Sequence, residues 1–175
     1  MSVDEISLRR CTFHDAAELS LVGSATFLEA FAERLESSSI LAHCQKHHSI
    51  AEYEKYLQLP DTQAWLAVVP GAGPVGYAIL TEPDLPLPGL APTDIELKRI
   101  YVFSRFRATG AGKHLLDQSI DAAREANKNR LLLGVYTENH RALAFYRKHG
   151  FEQVGTRTFQ IGNNLHDDLI LGRPI

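Results

Sequence analysis

The sequence predicts a mixed α/β domain around one sheet, and three features predict it. Short apolar runs of strand length alternate with longer stretches whose apolar residues recur at helical spacing. Glycines and prolines punctuate the boundaries, and no apolar run approaches the length that spans a bilayer. With 175 residues, 45% hydrophobic and 22% charged, residues 1–175 form one domain with side chains enough for a core, so disordered and collagen-like classes drop out.

The elements follow in order. Ile6 to Cys11 alternates apolar and polar residues as a half-buried strand does, and Thr12 with Asp15 resembles a helix start. Leu19, Val22, Ala25, Phe27 or Leu28, and Phe31 place a helix over about 15–34, with a break expected near Gly23. Residues 36–59 read as two short helical pieces, the second opened by a Ser49/Glu52 capping box. Ala64 to Val69 and Val75 to Leu80, separated by Pro70-Gly71-Ala72-Gly73-Pro74, read as a β-hairpin. Pro83, Pro86, Pro88 and Pro92 make residues 83–93 a surface loop. A strand over 95–103, a glycine turn, a helix over 111–127, a strand over 131–136 and a helix over 139–148 come next. Gly150 stands where a helix end needs a left-handed residue, and two strands flank the Gly162-Asn163-Asn164 turn.

Composition narrows the function. A formal charge of -3 disfavours a nucleic-acid binder and suits a cationic small substrate. Met1 to Arg10 lacks the apolar block of a signal peptide, so a cytoplasmic protein with no membrane partner is expected, with Cys11 and Cys44 as free thiols. A homodimer stays open. His43-Cys44-x-x-His47-His48 puts His43 and His47 on one helix face, but no metalloprotease motif accompanies it, and a plain helical surface is expected rather than a metal site.

The most informative segment is Ile95-Glu96-Leu97-Lys98-Arg99-Ile100-Tyr101-Val102 followed by Arg107-Ala108-Thr109-Gly110-Ala111-Gly112-Lys113 and a helix. Glycines let the backbone turn tightly and approach a ligand, and the helix start offers unpaired N–H groups to a phosphate. A plain strand-to-helix turn satisfies the same pattern. A Walker loop fails, because Lys113 is followed by His114; a dinucleotide fingerprint fails, because Leu115 stands where its third glycine belongs.

Arg107-x-x-Gly110-x-Gly112 resembles the Arg/Gln-x-x-Gly-x-Gly/Ala signature of the GNAT superfamily of N-acetyltransferases. Asn139-x-x-Ala142-x-x-Phe145-Tyr146-x-x-x-Gly150-Phe151 resembles that family's second signature. The likeness covers residues 95–172 and is strongest to the PaiA-like branch, whose members are implicated in acetylating polyamines. Residues 24–59 share only Thr26-Phe27…Phe31 with it.

The resemblance implies the GNAT fold: a mostly antiparallel central sheet flanked by helices, with the strands 95–103 and 131–136 splayed apart around acetyl-CoA. It implies cofactor contacts from Ile100, Tyr101, Val102, Arg107, Ala108, Thr109, Gly110, Ala111, Gly112, Lys113, Asn139, Ala142 and Tyr146. The Val102 N–H would polarise the thioester carbonyl, and Tyr146 would protonate the leaving thiolate, or else be a core aromatic. Glu96 would be the general base, or else an ion-pair partner of Lys98, Arg99 or Arg10. Asn139 is equally a helix cap. Phe27, Glu29, Phe31, Glu33 and Tyr101 would line the acceptor site, unless the first helix carries only ordinary surface acids. Direct transfer in a ternary complex is expected, since no cysteine falls within the signatures. A small-molecule amine, a polyamine above all, is the expected acceptor. A protein amino group, an aminoglycoside, an amino acid, or a non-catalytic acetyl-CoA-sensing module stay open.

Overall fold

The computed structural model describes residues 6–161 and 164–175. The elements are β1 (Ser7–Arg10), α1 (Ala16–Phe31), α2 (Ser37–His47), α3 (Ile50–Gln58), β2 (Gln63–Val68), β3 (Pro74–Thr81), β4 (Asp94–Val102), α4 (Ala111–Glu125), β5 (Arg130–Tyr136), α5 (His140–Lys148), β6 (Glu152–Ile161) and β7 (Asn164–Pro174). Short 3-10 turns, Phe13–Asp15 and Ser104–Thr109, precede α1 and α4. The seven strands lie in the order β1-β2-β3-β4-β5-β7-β6, antiparallel throughout except for the parallel pair β4 and β5.

The sheet buries both faces. On one, Leu115, Leu116, Ile120 and Ala123 of α4 and Leu143 and Tyr146 of α5 pack on Ile95, Leu97, Leu131 and Leu133. On the other, Ala16, Leu19 and Val22 of α1 and Tyr53 of α3 pack on Leu66, Tyr77 and Ile79. Both helical stripes follow from the 3.6-residue period that gathers apolar side chains on one flank.

Three sequence expectations need correction. The helix through Gly23 does not break: α1 is continuous, and Gly23 is there because a Cβ would sit 2.0 Å from the Tyr53 hydroxyl and 2.6 Å from His48 Nδ1. The proline-rich stretch is no mere surface loop, since Leu85 is buried against Leu132 and Ile170. The helix expected to reach residue 34 ends at Phe31. The Thr12/Asp15 pairing does form, with the Thr12 amide donating to Asp15 at 2.6 Å. Ser49 caps α3, accepting from the Glu52 amide, and Gly150 takes φ 80° after α5. Of the expected final turn, Gly162 and Asn163 lie outside the described residues.

The sheet has one deliberate gap. β4 and β5 pair only through Asp94↔Arg130, Ile95↔Leu131 and Glu96↔Leu132. Arg130 fastens that end, donating from Nε to Asp94 at 2.9 Å and from a terminal nitrogen at 2.6 Å. Beyond it the β3–β4 register slips: Ile79 faces Arg99 and Leu80 faces Leu97, leaving Lys98 as an extra residue. Such a bulge bends a strand and increases its twist. It turns β4 away from β5, which goes on pairing with β7 through Tyr136.

Gly23→Ala is expected to destabilise the protein by about 1–3 kcal/mol through overpacking. The same change in an unconstrained helix would add stability of about 1 kcal/mol. Urea unfolding measures it, and an unchanged or raised midpoint would remove the packing explanation.

Candidate active site

The gap exposes backbone that a sheet normally consumes. The Phe103 amide donates to the Val75 carbonyl at 3.0 Å, so Phe103 and, two residues back, Tyr101 turn their polar groups toward β3. The intervening Val102 and Ile100 therefore aim theirs at the open β5 side. Arg107 confirms the direction: its Nε donates to the Val102 carbonyl at 3.1 Å from outside the sheet.

The chain then turns through Ser104–Thr109 into Gly110, whose φ of 86° is a left-handed conformation that a side chain resists. The Thr109 hydroxyl closes the turn on the Phe106 carbonyl at 2.6 Å. Gly110 is the N-cap of α4, and no side chain caps its first amides, those of Ala111, Gly112 and Lys113. Beyond its chain neighbours and its own helix backbone, a Cβ on Gly112 would meet nothing nearer than Val102 Cγ2 at 4.0 Å. The protein's own packing thus gives no reason for a glycine there, whereas close approach of a ligand does. Ala108 is exposed at the turn, and Lys113 pairs with Asp117 one helical turn on. Burial, then the neighbouring Arg141, lowers the pKa of Arg107, which also stands 3.8 Å from Glu29.

α5 flanks the gap from the α4 side. Asn139 caps it, its side chain accepting from the Ala142 amide at 3.1 Å. Tyr146 is buried beside Phe145 and Phe151, and burial, with the nearby Tyr101 adding to it, pushes its phenol well above the ordinary range. It is therefore protonated at neutral pH.

On the opposite face the register places Glu96, Arg99 and Tyr101 across from Thr81, Ile79 and Tyr77, so all three point toward α1 and α3. Glu96 is the last β4 residue paired to β5, at the apex of the gap. Its carboxylate accepts the Asp84 amide at 3.0 Å and lies 3.5 Å from Lys98. Of the partners considered from sequence, Lys98 is the one it has; Arg99 and Arg10 are not bonded to it. Burial raises the Glu96 pKa, with the positive charge of Lys98 working against it. Tyr101 stacks on Tyr77 at 5.9 Å.

The residues expected to line the acceptor site divide. Phe27 is buried, 4.5 Å from Phe31 and stacked on His43 at 4.0 Å. Glu29 is taken up as a tether, accepting from the Ser104 amide at 2.9 Å and its hydroxyl at 2.8 Å, and Glu33 is exposed on the turn after α1. Sequence reasoning missed Arg99, His48, Tyr53 and the pair Arg157 and Asp168, which bond at 3.0 Å beside an open hollow lined also by Thr137 and Thr156. Their residue types are unremarkable one at a time, and only the fold assembles them. Cys11 and Cys44 are free thiols. Among the described residues no group of His, Cys, Asp and Glu is arranged to hold a metal, and no helix is long and apolar enough to cross a membrane.

A strand edge freed by a bulge, running into an uncapped glycine turn, defines an acyl-CoA-binding transferase fold. Residues 26–151 match the Acetyltransferase (GNAT) family. An uncharacterized N-acetyltransferase of Mycobacterium tuberculosis is 32% identical over 161 residues, 92% of this chain and 98% of that protein. The crystal structure of the PaiA N-acetyltransferase from Thermoplasma acidophilum in complex with coenzyme A superposes with a TM-score of 0.76 at 18% identity, covering 97% of this chain and 99% of that one. The ribosomal-protein-alanine N-acetyltransferase from Brucella melitensis is 26% identical, with a TM-score of 0.70 over 97% of this chain and 99% of that one. The chain belongs to the GNAT acetyltransferase family, and is an N-acetyltransferase that takes its acetyl group from acetyl-CoA.

The histidines beside the site set a pH limit on the fold. Burial, then the neighbouring His47 and Arg99, lowers His43 to about 4, and burial with the charge of Arg99 depresses His48 further. Both folded values lie below the unfolded one of about 6.5. Between these values the unfolded chain binds more protons, so the contribution is whole above about pH 6.5 and is lost as pH falls through the window. Melting temperature is expected to drop from about pH 6.5 toward 4.5, and His43→Phe, which keeps a ring against Phe27, to flatten part of that drop. A parent profile already flat over this range would mean that the imidazoles charge freely in the folded protein.

Proposed function

We propose that the chain acetylates a small primary amine by direct transfer while donor and acceptor are bound together. The observation that carries this is the β4 edge left open by β5 at Ile100 and at the Val102 amide, leading into the uncapped amides of Ala111, Gly112 and Lys113. A pantetheine arm is an amide chain, and it pairs with a strand edge as another strand would. Gly112 leaves room for a diphosphate against those amides, where the positive end of the α4 dipole favours it, with Arg107 and Lys113 adding charge.

The bound thioester supplies an activated acetyl group. The Val102 amide, aimed into the gap, stabilises negative charge developing on the carbonyl oxygen, a contribution typically of several kcal/mol in a dry site. The incoming amine must shed a proton. Glu96 at the gap's apex accepts it through water, its raised pKa making the carboxylate a stronger base than an exposed one. Tyr146 gives its proton to the departing thiolate. The amine's nitrogen–carbon bond forms as the carbon–sulfur bond breaks, and the two proton transfers leave an amide and free thiol.

The acceptor's nature is read from the other face of β4. Polyamine acetylation rests on the sequence resemblance to the PaiA-like branch, and a small cation would look for free carboxylates. Glu29 is occupied by Ser104, and Arg99 stands with Tyr101 on the acceptor face. Both features weigh toward a less cationic amine.

Release of free CoA from acetyl-CoA, followed over a panel of amines beside calorimetry of acetyl-CoA binding, tests the reading. Turnover with at least one primary amine is expected. Firm binding with no turnover would make the protein a sensor instead. Tyr146→Phe is expected to lower kcat at least about tenfold with acetyl-CoA affinity little changed. In the parent, kcat/KM is expected to rise with pH as the Glu96 carboxyl ionises, at a value above its ordinary 4.5. Glu96→Gln is expected to lose that acidic limb; a variant keeping both limb and rate would leave Glu96 as a structural partner of Lys98.

A further inference from the structure

Arg9, Arg124, Arg130 and Arg157 each meet a carboxylate. Arg99 does not: among the described residues no carboxylate lies within ion-pair distance of it, although burial is the largest influence on its charge. What surrounds it is neutral. Its guanidinium lies over the rings of Tyr53 and Tyr56, each at 5.2 Å, and one nitrogen stands 3.4 Å from His48 Nδ1. The Tyr53 hydroxyl spans His48 Nδ1 at 2.8 Å and the Tyr77 hydroxyl at 3.3 Å, fixing this wall. His43 and His47 complete it, and burial lowers the pKa of both.

A guanidinium stays protonated in proteins, and a charge withdrawn from water without a counter-ion is costly. Tyrosine faces and phenol oxygens offset part of that cost. They leave the planar fork, which matches an oxyanion with two parallel hydrogen bonds, without an anion. Position completes the argument. Arg99 retains partial exposure and lies between Glu96 and Tyr101 on the acceptor face of the cofactor strand, one residue from Ile100.

We infer that the acceptor is a small amine carrying its own anionic oxygen group, a free amino acid being the simplest case, and that Arg99 binds that group. The inference rests on the acetyl-transfer reading of the same site. It names a binding residue, not a group in the proton transfers. The anion supplies the negative charge that the wall of tyrosines and imidazoles lacks, and the amine at the other end of a short molecule is turned toward the gap.

Steady-state CoA release by the purified parent, compared over matched pairs, tests this. Each amino acid is set against the amine left when its carboxylate is removed, with aminoalkylphosphonates, putrescine and spermidine as further arms. The anionic member of at least one pair is expected to show kcat/KM about 10- to 100-fold above its uncharged partner, the range of a hydrogen bond to a charged group. Phosphonate arms separate carboxylate from phosphonate acceptors, and either preference supports the inference. Arg99→Gln is expected to bring the anionic amine down to the level of its partner, and Arg99→Lys to restore part of the difference. Equal or better use of the uncharged amines, or of the polyamines, by the parent overturns the inference while leaving acetyl transfer intact. An Arg99→Gln variant that folds and keeps the preference overturns the role of Arg99. Bound acetyl-CoA with no amine consumed overturns the inference and the reading beneath it together. The parent's paired comparison decides the matter even where a variant fails to fold.

Discussion

The site depends on two neighbouring parallel strands being allowed to pair at one end only. Parallel pairing is ordinarily continuous, because an unpaired amide or carbonyl in a sheet interior costs as much as a lost hydrogen bond. Here Asp94 and Arg130 lock β4 to β5 at one end. The extra residue Lys98 then bends β4 before the other end can close. β5 keeps β7 along its other edge through Tyr136. On β4 the groups left facing the gap are those of Ile100 and the Val102 amide, the Val102 carbonyl being met by Arg107. These are the groups the proposed pantetheine contact would satisfy. A strand edge that would otherwise invite aggregation is turned inward and becomes a binding site.

The donor half of the site was legible in the sequence because it is nearly contiguous. Strand, glycine turn and helix occupy residues 95–113, and the helix carrying Tyr146 opens at Asn139. Local geometry and local chemistry coincide there, and a left-handed Gly110 or an N-capping Asn139 leaves a mark on residue type. Gly23 shows the opposite case. A glycine inside an apolar helical stripe reads as a weak point, and only the Tyr53 and His48 side chains approaching from α3 and the α2–α3 turn reveal that it is a contact. Leu85 was hidden similarly, since prolines forbid regular structure around it without saying that its side chain turns inward to Leu132 and Ile170.

The acceptor half was illegible for a physical reason. As proposed, it draws on α1, the α2–α3 junction, β3 and β4, so its side chains come from segments far apart in the sequence. Glu29 and Glu33 looked like amine binders because acids beside aromatics suit a cation. The fold spends Glu29 on tying α1 to the Ser104 turn, where its carboxylate meets two donors at once. Lys98 and Arg99, adjacent in sequence, illustrate how little adjacency decides. The bulge sends Lys98 to Glu96 and Asp84, and Arg99 to a wall of tyrosines and imidazoles.

That divergence gives the site its two electrostatic regions. Around Glu96 charges of both signs meet: Lys98 lies against the Glu96 and Asp84 carboxylates, and burial raises the Glu96 pKa while Lys98 works against it. Around Arg99 the charge is unbalanced, and the positive potential acts on every titratable neighbour in the same sense. It depresses His43, His47 and His48 and works against the burial that raises Tyr53, Tyr77 and Tyr101. A cluster with three imidazoles would otherwise gain protons as pH falls and become more cationic. Kept toward the neutral form by burial first and by Arg99 in addition, they leave one fixed charge of defined direction, which orients a ligand better than several mobile ones. On the proposed reading, selectivity on this face would come from a single guanidinium whose partner arrives with the substrate, while the proton transfers would belong to Glu96 and Tyr146 a short distance away.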